Sequence, residues 1–334
     1  MNGQIEDQGE SRGFTRGRPQ RFDHGCRSYS FARGLDYDAI VAASEKVAWT
    51  VDGVFCGRRF DDSRRIVPSS WVGTEGLAFL DDWDQVVLNQ CRAFSYVHLL
   101  GNYEEFIPVH LAHVVQREWH GRRAHVRALL RFGEEEVKHQ ELFRRAELLL
   151  EECCGHRFGR CFDDGKARVV EFSRAVLAYP RFSIFLLLLA LEWGTQRHYV
   201  DSVRDHACDV ADPLYVDMLR AHWVEESQHT KSDTLELVSL ARELEPADIE
   251  AAFEQVLGIA ALVDATFRGQ AEQEIETFQE ATGRVLASED ATALREALYR
   301  SLQNGIAGVG LRHPSFVRVA RQLSRRGAAI LGLA

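Results

Sequence analysis

The chain has 334 residues, 46% of them hydrophobic, with only 7 prolines and a formal net charge of −10, enough apolar content to bury a large core. The acidic balance argues against a nucleic-acid partner, whose phosphates need a basic surface. The most apolar run, Ile184 to Leu191, is eight residues long, short of the roughly 20 that a bilayer-spanning helix needs, so no membrane role is expected. The 7 cysteines are odd in number and scattered, and no apolar stretch opens the chain, which argues against a disulfide-stapled secreted scaffold and for a reducing cytoplasm.

Residues 1–20 are polar and glycine-rich and cannot bury enough apolar area to offset ordering entropy, so a flexible tail is expected, with 21–334 as one helical domain. A short amphipathic helix is expected over 35–49, with Asp36 or Asp38 as cap. Residues 51–73 carry Gly, Pro and Ser signals and read as an irregular connection.

The first long helix is expected over 81–118, bent at Gly101. Its apolar stripe runs through Val97, Leu100, Glu104, Ile107 and Leu111, with one carboxylate set among aliphatic side chains at helical spacing. Glu105 is the rival, about 100° further round the helix. His110 and His113 read as exposed or hydrogen-bonded histidines, because His113 falls on the side away from Glu104. A second helix over 122–153 carries Leu129, Phe132, Glu136, His139 and Phe143 on one stripe, with Glu134 and Glu135 turned to solvent or to a neighbouring helix. The loop that follows holds Cys153, Cys154, His156 and Cys161, but has no Cys-x-x-Cys pair and matches no closed zinc site.

A third helix over 167–206 contains F-S-I-F-L-L-L-L-A-L-E-W-G-T-Q-R-H-Y. A carboxylate there, at Glu192, is costly unless metal-bound or paired with an arginine such as Arg197. A fourth helix starts at Asp212-Pro213, with proline in its first turn, and runs to about 244. It holds A-H-W-V-E-E-S-Q-H-T, in which His222, Glu226 and His229 fall at i, i+4 and i+7 on one face. Residues 246–334 stay helical in pattern, contain no clustered ligand types, and are expected to pack on the bundle.

Two helices bearing Glu-x-x-His, with one lone carboxylate from each of two others, form the ligand set of di-iron or di-manganese four-helix bundles. Glu104, Glu136, His139, Glu192, Glu226 and His229 supply that set in chain order, and His222 is either a seventh ligand or a core histidine. The expected fold is all-α, with a four-helix di-metal core over about 80–244 and additional N- and C-terminal helices. Carboxylates with neutral imidazoles suit iron or manganese, so the expected cofactor is two Fe ions, with Mn/Fe as the other pairing.

The six-ligand set resembles the ferritin-like di-iron carboxylate proteins, which include ferroxidases, desaturases and hydroxylases. With His222 added, the His-x-x-x-Glu-x-x-His segment is similar to the para-aminobenzoate N-oxygenase type of arylamine N-oxygenase. That resemblance implies a di-iron monooxygenase with seven protein ligands that uses O2 or peroxide to oxidise a small organic substrate, an arylamine among the candidates. The alternatives are hydroxylation or desaturation of another substrate, a ferroxidase, and a non-enzymatic helical interaction protein. The sequence has no flavin, nicotinamide or iron–sulfur motif, so reducing equivalents are expected from an external ferredoxin- or reductase-type donor, or from peroxide. A homodimer is a possible assembly.

Overall fold

The computed structural model describes residues 29–155, 165–204 and 211–333, which are helix and loop with no strand. The expected tail over 1–20, and the cysteine-rich loop from His156 through Cys161, lie outside the described residues. Helix α1, Tyr37–Ser44, is capped by Asp36, whose side chain accepts from the Ala39 N–H. It is shorter than the 35–49 expected. The connection after it holds one short helix, α2, Val51–Phe55.

The first long helix is two. α3, Asp82–Glu104, opens on a reciprocal capping box between Asp81 and Asp84. α4 is Phe106–Glu118. The break falls at Glu105 and not at Gly101, and the reason is Pro108: with no N–H, it leaves the Glu104 carbonyl without its helical donor. Gln140 Nε2 donates to that carbonyl instead, at 3.2 Å. Gly101 packs its α-carbon face toward Phe143.

α5, Arg123–Cys154, is close to expectation and ends on Gly155 in the left-handed conformation, φ 65°. The expected third helix is also divided, into α6, Gly165–Leu177, and α7, Arg181–Tyr199. Pro180 biases Tyr179 away from helical torsions and then sits as the N-cap of α7. A π-helical turn, Val200–Arg204, follows. α8, Pro213–Ala241, has Asp212 as N-cap, accepting from the Leu214 N–H. Beyond it come α9, Pro246–Thr282; α10, Ser288–Asn304; α11, Ile306–Leu311; α12, Pro314–Leu323; and α13, Arg325–Ile330.

α3 with α4, α5, α7 and α8 form the bundle: α3 and α4 pack on α5, α5 on α8, and α8 on α7, with α1 laid across α5 and α8. α9 covers α3 and α7, and α11 lies directly on α7. That last approach is very close, since a Cβ on Gly310 would run into the Ala190 carbonyl oxygen and stand 3.2 Å from Gly194 Cα.

The apolar interior is split into two large clusters, with a small third one of Tyr37, Ile40, Val41 and Ala128 under α1. One large cluster holds Leu100, Leu142, Phe143, Tyr199 and Leu219, and the other holds Phe106, Leu129, Phe132, Ala190 and Leu237. Each bundle helix also carries a polar stretch, at Glu104, Glu135 to His139, Glu192, and His222 to Glu236, whose acidic and histidine side chains are buried. Burying so many ionisable groups in one layer is costly unless they are mutually paired or bind cations.

Candidate metal centre

The layer brings together all seven side chains expected from the sequence. Glu136 and His139 are fully buried, and Glu104, Glu192, His222, Glu226 and His229 are nearly so. Glu226 Oε1 lies 3.1 Å from His222 Nε2 and 3.4 Å from both His139 Nδ1 and His229 Nδ1. Glu136 Oε1 is 2.9 Å from His229 Nδ1 and 3.8 Å from His139 Nδ1. Glu104 Oε1 is 3.2 Å from His222 Nε2, and Glu192 Oε1 is 3.8 Å from His229 Nδ1. Two overlapping sets have donor atoms within 4.8 Å of one another, namely Glu136, His139, Glu226 and His229, and Glu104, His139 and His222. Glu105 turns away to Arg144, at 2.6 Å. Arg197 pairs with Asp201, not with Glu192.

A second pair of carboxylates orients the imidazoles. His139 Nε2 donates to Glu225 at 3.1 Å, and His229 Nε2 donates to Glu135 at 3.1 Å. The exchange is reciprocal: each Glu-Glu-x-x-His helix supplies the carboxylate that holds the histidine of the other. Fixing Nε2–H in this way leaves both Nδ1 atoms facing the cluster, the arrangement seen in carboxylate–histidine–metal sites. Glu225 also accepts from Lys138 Nζ at 2.6 Å, and Glu135 from the Ser44 hydroxyl of α1, which in turn accepts from Arg131 Nε at 2.8 Å. Glu134 is exposed, whereas Glu135 is buried. Trp49 lies parallel to the His139 ring at 6.1 Å.

Electrostatics follow from burial and mutual proximity. Burial, with Glu104 and Glu226 nearby, pushes Glu136 up to about 8, while burial raises Glu104 and raises Glu192 well above the carboxylate range. Burial works the same way on Glu226, yet His222 and the hydrogen bonds around it hold Glu226 well below that range. His222 rises to about 10 against burial because Glu226 and Glu104 face it, and His139 falls through burial and the neighbouring His222. Glu104 Oε2, both Glu136 oxygens, Glu192 Oε2, Glu226 Oε1, and Nδ1 of His139 and His229 are buried without a directed hydrogen bond. Carboxylate and imidazole donors left unsatisfied together in one layer fit divalent cations of the iron–manganese class.

The carboxylate side of the cluster opens to a cavity of about 660 Å³, with Glu104, Glu192 and Glu226 in its wall. Trp71, Tyr96, Tyr103, His198 and Phe267 line it, and α10 and α11 close it with Leu302, Gly305 and Val309. Thr195, on the same wall, donates to Glu226 Oε2 at 3.2 Å. Tyr199 and Trp223, by contrast, stack on each other at 5.0 Å. His110 is neither exposed nor hydrogen-bonded at Nε2: it is buried edge-on to Phe185, and burial lowers it to about 4. His113 is exposed.

Glu135 and Glu225 were not legible as site residues, although their signal is present: both Glu-x-x-His motifs are preceded by a second glutamate. His198 and Trp71 carried no sequence signal.

No family model matches the sequence, and no curated protein matches it. Among solved structures, the chain is similar to variants of an R2-like ligand-binding oxidase. A variant anaerobically reconstituted with a Mn/Fe cofactor aligns at 11% identity over 81% of this chain and 92% of that one, with a TM-score of 0.42. A second, aerobically reconstituted with Fe/Fe, gives 12%, 81%, 92% and 0.42. A third, with Mn/Fe, gives 12%, 83%, 94% and 0.41. No described helix is long and apolar enough to cross a membrane.

Proposed function

We propose that Glu104, Glu136, His139, Glu192, His222, Glu226 and His229 hold two iron ions, or one manganese and one iron, and that the protein is an O2- or peroxide-dependent oxygenase of a small aromatic molecule. Such a pair supplies two electrons to O2 in one step when bound. The observation that carries this reading is the converging layer of buried, unsatisfied carboxylate and imidazole donors set in the wall of a cavity. Glu225 and Glu135 fix the His139 and His229 rings, Thr195 fixes Glu226, and Trp71, Tyr96, Tyr103 and Phe267 give the cavity beside the carboxylates an aromatic wall. α10 and α11, which a storage protein would not need, complete the cavity. The His222 position, between Glu104 and Glu226, supports the arylamine N-oxygenation implied by the His-x-x-x-Glu-x-x-His resemblance. Electrons come from an external ferredoxin- or reductase-type donor, or from peroxide.

The test is metal analysis of protein purified without affinity-tag histidines, followed by reaction of the ferrous form with O2 and an arylamine. About two iron equivalents per chain and an oxidised amine product are expected. Full metal occupancy in both Glu136→Ala and Glu226→Ala, or repeated turnover of excess ferrous ion to ferric oxide without organic product, overturns the reading.

A further inference from the structure

On the cavity wall, eight residues before Glu104 on α3 and six after Glu192 on α7, three rings meet. Trp71 stacks on Tyr96 at 4.4 Å and lies 4.3 Å from His198, and the Tyr96 hydroxyl is 2.7 Å from His198 Nδ1. All three line the cavity; Trp71 and His198 are buried, 5% and 9% exposed, and Tyr96 is partly buried. The proton arrangement of this pair follows from burial. Desolvation raises the Tyr96 hydroxyl well above its ordinary value and lowers His198 to about 4. Tyr96 is therefore a neutral donor and His198 Nδ1 the acceptor, which puts the single imidazole proton on Nε2, the ring edge away from Tyr96.

His198 stands six residues after Glu192 on α7, with Thr195 between them on the same cavity wall. That separation is about 9 Å of helix rise, the scale of one benzene ring with two para substituents. Charge narrows the class further. Arg92, the cavity's buried cation, is paired with Glu274 at 2.8 Å and donates to the Leu298 carbonyl. Arg300 is exposed at the rim, where solvent screens it. Asp201 lies beside the His198 end, where it is paired with Arg197 at 2.7 Å. An anionic group seated there would meet a neutral donor, with Arg92 and Arg197 already paired to carboxylates of the protein and no unpaired buried cation among the described lining residues.

We infer that His198, oriented by Tyr96 and stacked on Trp71, is the specificity residue of the cavity, anchoring through Nε2–H a neutral hydrogen-bond acceptor at the far end of a flat aromatic amine. This deepens the arylamine reading of the same site and rests on it for the amine end only. A neutral carbonyl, amide or nitro group suits this anchor, and a carboxylate does not.

The test is calorimetric titration of the full-length, metal-free protein with three anilines: 4-aminoacetophenone, which carries a neutral acceptor; 4-isopropylaniline, its near-isostere without one; and 4-aminobenzoate, the anion. The affinity ratio of the ketone to the isopropyl probe is expected to fall about fivefold in His198→Phe, the size of one neutral hydrogen bond, while the isopropyl probe binds as before. His198→Gln, which retains a side-chain N–H donor, should recover part of the ratio, and thermal melts of both variants report folding. An unchanged ratio in both His198 variants, or 4-aminobenzoate binding more tightly than the ketone to the wild-type protein, overturns the inference. Iron content and O2 consumption, measured separately, report on the metal reading alone.

Discussion

Replacing Glu136 with Gln tests the cluster through metal-free stability as well as through metal uptake. Glu136 is fully buried, with neither carboxylate oxygen hydrogen-bonded, and ionises near 8 rather than near its ordinary 4.5. Because its folded value is raised, the unfolded chain gives up this proton first. The metal-free protein is thus most stable below about pH 4.5 with respect to this group, and loses stability as pH rises toward 8, at about 1.4 kcal/mol per unit. The accumulated loss reaches about 3 kcal/mol by pH 7. Gln cannot ionise. Its unmet amide costs about 1–3 kcal/mol at every pH, so the slope of stability against pH, and not the absolute value, is the readout. Urea melts of metal-free wild type and Glu136→Gln between pH 5 and 8 should converge in the variant's favour as pH rises. Ferrous ion should reverse the order, because ligand binding stabilises wild type by mass action, about 2.7 kcal/mol at a hundred times Kd, and gives the variant little. Parallel slopes together with equal stabilisation by ferrous ion would refute the reasoning.

Glu225→Ala and Glu135→Ala each remove the acceptor that fixes one imidazole, and metal affinity is expected to fall about 10- to 100-fold, read by competition with a chelator; undiminished affinity in both would mean the reciprocal pairs do not orient ligands. His222→Ala should retain much of its iron and lose most turnover per bound iron. A lower melting temperature with normal turnover per iron would instead make His222 a packing residue. Gly310→Ala places a methyl against the Ala190 carbonyl oxygen, so α11 must lift from α7 at a cost of about 1–3 kcal/mol. Since α11 closes the cavity, the variant should lose aniline affinity along with melting temperature, and an unchanged melting temperature would contradict the close approach.

The periodicity of single helices was enough to nominate seven residues, because i, i+3 and i+4 spacings are local properties that any helix imposes. Helix phase favoured Glu104 and left Glu105 as its rival; the structure buries Glu104, on the stripe through Val97, Leu100 and Leu111, and turns Glu105 to Arg144. The ends of α5 and α8 were written in Gly155 and in Asp212-Pro213. The divisions at Glu105 and Pro180 were marked by Pro108 and Pro180, but long apolar periodicity on both sides masked them.

What tertiary structure alone decided is relation between helices. Whether Glu135 holds His229 or faces water depends on the axial register of α5 against α8, a sum of many packing contacts far apart in sequence that no local spacing encodes. The cavity is likewise a product of distant segments: Trp71 precedes α3, Tyr96 lies on α3 and His198 on α7, and α11, packed on α7, brings Val309 to the same wall. Sequence period fixes which face of a helix is polar; the packing of the other helices fixes what that face meets, and so the seven proposed ligands were readable from the chain while Glu135, Glu225 and His198 were not.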